Sequence, residues 1–216
     1  MTVLESTRLN QEIFNEIQIT SQENTIMKSL EKFYEVSDNV DLFIPIINSE
    51  SKISIRLIDH FVTKYSKANK ISYKLKENNV EQSFSVHSSY KQQLKRYQKR
   101  HFDPFSRGDR IPYFMGESCV ITTIGQLNFF TWFISKKVHE FILANHDTIE
   151  NDMNNKNKLD KKKVKKEKKQ KKIPKKQLGI SSNSSISSNY KQPVSSGVMT
   201  FSEPKTDKII VSFSFN

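Results

Sequence analysis

Cysteine is almost absent: Cys119 is the single thiol in 216 residues. One thiol closes no internal disulfide and supplies no cysteine-based zinc site, so packing has to hold the chain and a reducing compartment suits it. Glycine is scarce too. None of the five glycines stands in a Walker or Rossmann phosphate-loop pattern, and there is no Gly-x-Ser-x-Gly nucleophile elbow. The histidines, His60, His87, His101, His139 and His146, show no metal-ligand spacing. The longest strongly apolar run, FFTWFI at 129–134, is far too short to span a bilayer, and MTVLESTRLNQ lacks the apolar core of a signal peptide. These absences lead us to expect a soluble intracellular protein with no membrane partner. They also leave no catalytic residue, metal, cofactor or small-molecule ligand to name, and the chain is expected not to be an enzyme.

Hydrophobic residues make up only 35% of the chain, but the shortfall is local. Residues 1–147 carry most of the Phe, Leu and Trp, whereas residues 149–207 are dominated by Asn, Lys, Ser and Gln. Charge is local as well. Thirteen lysines lie between Lys156 and Lys176 against Asp160 and Glu167, so this run supplies +11 of the net +12. A division follows: an α+β domain over 1–147, a disordered basic and Ser/Asn-rich linker over 148–207, and a C-terminal strand over 208–216. In that last segment Ile209, Val211, Phe213 and Phe215 alternate with polar residues. Such a strand is expected to pair with the domain's sheet or with another chain.

Within the domain, Leu9, Ile13, Phe14 and Ile17 recur at helical spacing. Thr20 and Glu23 have the form of a capping box before a second helix carrying Ile26, Leu30 and Phe33. LFIPII at 42–47 contains Pro45 and reads as an edge strand or extended link. A helix from Ser51 aligns Ile53, Leu57, Phe61 and Tyr65. The neighbours Asp59 and His60 do not face each other on it, because adjacent helical residues point about 100° apart. Residues 71–75 and 82–87 alternate like a hairpin with a longer loop around Asn78-Asn79. Short strands are expected at 111–114 and 119–122, with Cys119 as a small buried side chain. A strongly apolar helix follows from Thr123 to Asn145. The sum is a small, mostly antiparallel sheet covered by four or five helices.

The stretch between hairpin and strands is the most informative. From Ser88 or Ser89, Tyr90, Leu94, Tyr97 and His101 line one face of an expected helix, and Lys91, Lys95, Arg96, Lys99 and Arg100 lie opposite. The helix has to stop before Pro104, and FDPFSRGDR adds Arg107 and Arg110 with Phe102 and Phe105. Seven cations within 20 residues, interleaved with aromatics, are what contact with phosphates needs. Lys161, Lys162, Lys163, Lys165, Lys166, Lys168, Lys169, Lys171 and Lys172 add a polyanion-binding run or a nuclear-targeting signal.

The segments IPIINSESKISIRLIDHFVTKYSK (44–67), FSVHSSYKQQLKRYQKRHFDPFSRGDRI (84–111) and TTIGQLNFFTWFI (122–134) resemble a conserved, functionally uncharacterised protein family of nucleocytoplasmic large DNA viruses of the mimivirus kind. The resemblance covers roughly residues 40–145. It implies a viral protein acting in the host cytoplasm, in a virus factory or in the virion. It brings no catalytic residue with it. The expectation is a non-enzymatic, nucleic-acid-associated accessory or virion protein that binds DNA or RNA largely without sequence preference. The alternative is a protein-interaction or structural module, in which the C-terminal strand or Phe102 and Phe105 dock a viral or host protein and the lysine run is a solubilising tether.

Overall fold

The structure, a computed structural model, describes residues 3–77, 80–116 and 118–170. The expected C-terminal strand and the linker beyond Gln170 lie outside the described residues. What is described is α+β and mostly helical. Helix α1 (Val3–Glu16) is followed by α2 (Ser21–Tyr34) and α3 (Ser37–Ile47). Helix α4 (Ile55–His60) runs through a π-helical turn (Phe61–Tyr65) into α5 (Ser66–Ala68). Strands β1 (Ser72–Glu77) and β2 (Val80–Ser85) precede α6 (Val86–Tyr97). Strands β3 (Ile111–Met115) and β4 (Ser118–Thr122) lead into α7 (Ile124–Ser135), α8 (Val138–Ala144) and α9 (His146–Gln170).

The apolar excess of α7 makes it the centre. Leu127, Phe129, Phe130 and Phe133 are fully buried, and Trp132 and Ile134 nearly so. Buried side chains point from α7 in every direction, as an all-round apolar helix requires. Helices α2 and α3 pack on it, and the Tyr34 hydroxyl donates to the Leu127 carbonyl at 2.8 Å. The Thr20–Glu23 capping box forms as the spacing predicts, with reciprocal side-chain bonds to the two backbone N–H groups. Helix α1 lies against β3, where the Asn10 side-chain amide donates to the Phe114 carbonyl and accepts from its N–H at 2.9 and 2.8 Å. The amide thus pairs with the strand edge in place of another strand.

Several expectations are corrected. Residues 42–47 are helical, with Pro45 inside α3. Proline forfeits one helical hydrogen bond near the C-terminal end, while Phe43 and Ile46 are buried against the core and outweigh that loss. The single small sheet is instead two separate antiparallel pairs, β1–β2 and β3–β4. The first hairpin is tighter than expected, since pairing continues to Glu77–Val80. The long final helix is broken at Lys136–Lys137, where Lys137 takes a left-handed φ of 55° and starts α8 afresh. With α3 and α9, this exceeds the expected four or five helices among the described residues.

A further correction concerns the tail. Residues 148–170, read as disordered, continue as α9. Its first turns are docked: Ile149 is fully buried, Met153 packs on the core, and Asp152 sits 2.8 Å from His60 Nε2. Nucleation is the costly step of helix formation, and docking supplies it. Lysine, glutamate and glutamine are good helix formers and then propagate the helix, with no Gly or Pro before Pro174. The folded domain therefore extends past 147 into the basic run.

One junction positions everything that follows. The loop after α6 lies on the first turn of α7, so close that a Cβ at Gly125 would stand 2.7 Å from the Arg100 carbonyl oxygen. Asp103 N–H donates to the Gly125 carbonyl at 3.1 Å. Gln126 Nε2 donates to the Pro104 carbonyl at 2.9 Å and Asn128 Nδ2 to the His101 carbonyl at 2.8 Å. Both amide side chains are buried, and they satisfy backbone groups that an irregular buried loop would otherwise leave unpaired. We predict that Gly125→Ala destabilises the protein by roughly 1–3 kcal/mol, the usual cost of overpacking. Urea unfolding measures it, and a change within about 0.5 kcal/mol would mean that the loop yields freely.

Candidate nucleic-acid interface

Helix α6 ends four residues earlier than its stripe suggests. Gln98 adopts φ 59°, ψ 174°, a backbone conformation that costs a residue with a side chain about 1–3 kcal/mol. The chain turns there because Phe102 has to reach the core. Phe102 is 1% exposed and its ring lies 5.2–6.3 Å from those of Tyr90, Tyr97, Phe129 and Trp132. It is a core anchor and is unavailable for docking a partner. Lys99 and Arg100 consequently leave the helix, and the expected five-cation helical face does not form as such.

The structure sorts the seven cations into three settings. Lys95 and Arg96 stand exposed on α6, with the Arg96 guanidinium 5.0 Å from the centre of the Tyr97 ring. Arg100 and Arg110 line a groove with Glu23, His101 and Gly108. Lys91, Lys99 and Arg107 line another groove of about 390 Å³, joined by Lys67 from α5. The sequence reading missed Lys67. It stands 24 residues before Lys91, and only the packing of α5 on α6 joins them. The same groove carries Asp59, Thr63, His87 and Tyr90 and the half-buried ring of Phe105.

Two of the cations are already engaged. Arg107 grips Asp103 with Nε at 2.9 Å and an Nη at 2.5 Å, and its guanidinium lies 4.9 Å from the Phe105 ring centre. These contacts fix the guanidinium plane and leave Lys67, Lys91 and Lys99 as the cations of this groove outside ion pairs among the described residues. Arg100 lies 3.5 Å from Glu23 and 3.7 Å from Asp109. Glu23 also accepts from the Thr20 backbone N–H and sits 3.0 Å from His101 Nε2. His101 is thus a buried link between loop and α2. Burial alone would raise the Glu23 pKa. The bonds from Thr20 and His101 and the charge of Arg100 outweigh burial and hold it below its ordinary value.

The neighbours Asp59 and His60 do diverge. His60 turns to Asp152 on α9, while Asp59 lines the groove. The π-helical turn that follows brings Thr63 to the same wall, and such turns are frequent at functional sites. Lys161 and Lys162 are exposed on α9. Lys163, Lys165, Lys166, Lys168 and Lys169 follow on the same helix, and Lys171 and Lys172 lie outside the described residues. From Lys156 to Gln170 the helix extends roughly 20 Å, at about 1.5 Å per residue. Cys119, expected to be buried, is exposed on β4, and partial burial of its thiol raises the pKa. Among the described residues no group of three or more His, Cys, Asp or Glu could hold a metal, and no helix is long and apolar enough to cross a membrane.

The sequence profile of a family described as a Family of unknown function (DUF7197) matches residues 5–211. That match takes in the N-terminal helices and most of the tail, well beyond the resemblance at 40–145. A curated relative, Uncharacterized protein L507 of Acanthamoeba polyphaga mimivirus, is 38% identical over 154 residues. The aligned part covers 68% of this chain and 60% of the relative, so the chain spans less than two thirds of that protein's length. No solved structure matches the chain.

The Glu23 cluster predicts a pH dependence. Its folded pKa lies below the ordinary 4.5, so its contribution to stability is complete above that pH and is lost as pH falls through the lower folded value. Wild type should therefore melt above Glu23→Gln at neutral pH, and the gap should shrink below about pH 4.5. A gap that stays constant from neutral pH to about pH 3 would show that the carboxylate charge is irrelevant.

Proposed function

The chain belongs to the Family of unknown function (DUF7197), and within it we propose a non-enzymatic, nucleic-acid-associated accessory or virion protein of a large DNA virus. The observation that carries this reading is the convergence of Lys67, Lys91 and Lys99 from three separate segments on one aromatic-lined groove. A solvated helix face needs no such gathering. Cations spaced around a groove contact several phosphates of one strand, and aromatic rings beside them offer stacking.

Helix α9 supplies the second part. A helix holds its lysines at fixed spacing and loses less entropy on binding than a flexible run. Its root is packed on α4 and the π-helical turn, the elements that also form one wall of the groove. Lys67, Lys91 and Lys99 orient a strand, and the lysines from 161 onward add affinity without sequence preference. The relative's viral origin supports a place in the host cytoplasm, a virus factory or the virion.

Two sets of substitutions in the full chain test this. Binding of a fluorescent single strand should weaken by about 10³–10⁵ between 50 and 200 mM salt if six to ten phosphates are contacted. Changing Lys161, Lys162, Lys163, Lys165 and Lys166 to Gln should flatten the slope of log affinity against log salt by about 3–4. Changing Lys91, Lys95, Arg96 and Lys99 to Ala should weaken binding further without lowering the melting temperature. No binding by wild type at about 50 mM salt would refute the proposal and favour a protein-interaction module.

A further inference from the structure

The groove holds chemistry that phosphate contact does not use. Tyr90 is 7% exposed and lines the groove, and no hydrogen bond reaches its hydroxyl among the described residues. Its hydroxyl is therefore open to solvent and to whatever enters the groove. The Asp59 carboxylate likewise accepts no hydrogen bond among the described residues. Burial pushes its pKa up, although Arg107 opposes the shift. A carboxylate beside three lysines weakens the hold on phosphate. What it favours is a ligand with N–H donors. His87 lines the same groove and is oriented by its Nδ1, 3.3 Å from the Val62 carbonyl. The Arg107 guanidinium, held flat between Asp103 and Phe105, offers a planar surface on which a base can stack.

We propose that this groove seats one unpaired guanine of a single strand, with its base edge on Asp59, its ring on the Phe105–Arg107 stack and its flanking phosphates on Lys67, Lys91 and Lys99. The proposal rests on the nucleic-acid reading above and names what that groove recognises. Guanine follows from the donor count. Its N1–H and N2–H lie side by side and meet both oxygens of a carboxylate. Adenine and cytosine set a ring acceptor beside their amine, and thymine flanks its one N–H with two carbonyls, so each places an acceptor against Asp59. The base has to be unpaired, because pairing hides that edge. The volume of about 390 Å³ falls within the roughly 300–1,000 Å³ of ligand sites.

The test is fluorescence anisotropy with the full chain and single strands of about twelve nucleotides. One strand is all thymidine, a second carries one central deoxyguanosine, and a third carries deoxyinosine there, which keeps N1–H and lacks the 2-amino group. The guanine strand should bind about 10-fold more tightly than the thymidine strand, with inosine between them. Asp59→Asn, at an unchanged melting temperature, should bind all three equally. Equal affinity of wild type for all three strands would overturn the guanine site and leave the general reading standing. Absence of binding to any of them at about 50 mM salt would overturn both.

Discussion

The contact on which the rest depends is backbone against backbone. The loop after α6 rests on the first turn of α7 where residue 125 has no side chain, and Gln126 and Asn128 bind the loop's carbonyls. Elsewhere around α7 the packing is mainly apolar, with few bonds such as that of the Tyr34 hydroxyl, and apolar packing has no directional preference. At this junction hydrogen bonds set both position and angle, so the loop has one place to lie. Phe102 enters the core as a consequence, and Lys99, Phe105 and Arg107 are delivered to the groove. The loop is thus held by a rigid scaffold.

Helix α4 and its π-helical turn form a second organising element. Successive residues on a helix point in different directions, and this segment uses that property. Ile58 and Phe61 fill the core, Asp59 and Thr63 line the groove, and His60 meets Asp152. Groove and basic helix therefore share one support. Charge is handled with similar economy. Arg100 and Arg107 are tied to carboxylates that hold the loop in shape, whereas Lys91, Lys95 and Lys99 stand outside ion pairs among the described residues. Cations that look equivalent along the chain thus divide into structural and available ones.

Much of the local structure was legible. Thr20 and Glu23 announced a capping box, the alternation from Ile71 to Val86 announced a hairpin, and the aromatic density of 124–134 marked the central helix, because each signal acts within a few residues. Pro45 misled because proline is disfavoured inside a helix and tolerated at a strand edge, and only the burial of Phe43 and Ile46 offsets the lost helical bond. His101 fitted the stripe of α6 but lies beyond its end, since the bonds drawing the loop onto α7 come from residues 22 or more positions away. Helix α9 was hidden by its own charge. Repulsion between lysines is visible in the sequence, and the docking of Ile149 that nucleates the helix is not.

By itself, the sequence determined composition and short-range geometry. It placed the cations and aromatics between residues 90 and 110, the lysines between 156 and 176, and the absence of phosphate-loop and nucleophile-elbow motifs. Caps, periodicities and turns follow from such neighbours because their energies are local. The tertiary structure alone decided which cations share a groove, which are spent on Glu23 and Asp103, and that Lys67 and Asp59 belong with residues 87–107. Those facts depend on where distant segments come to rest. That is set by burying α7 and by the few directional bonds that lock a loop against its first turn, which no spacing along the chain encodes.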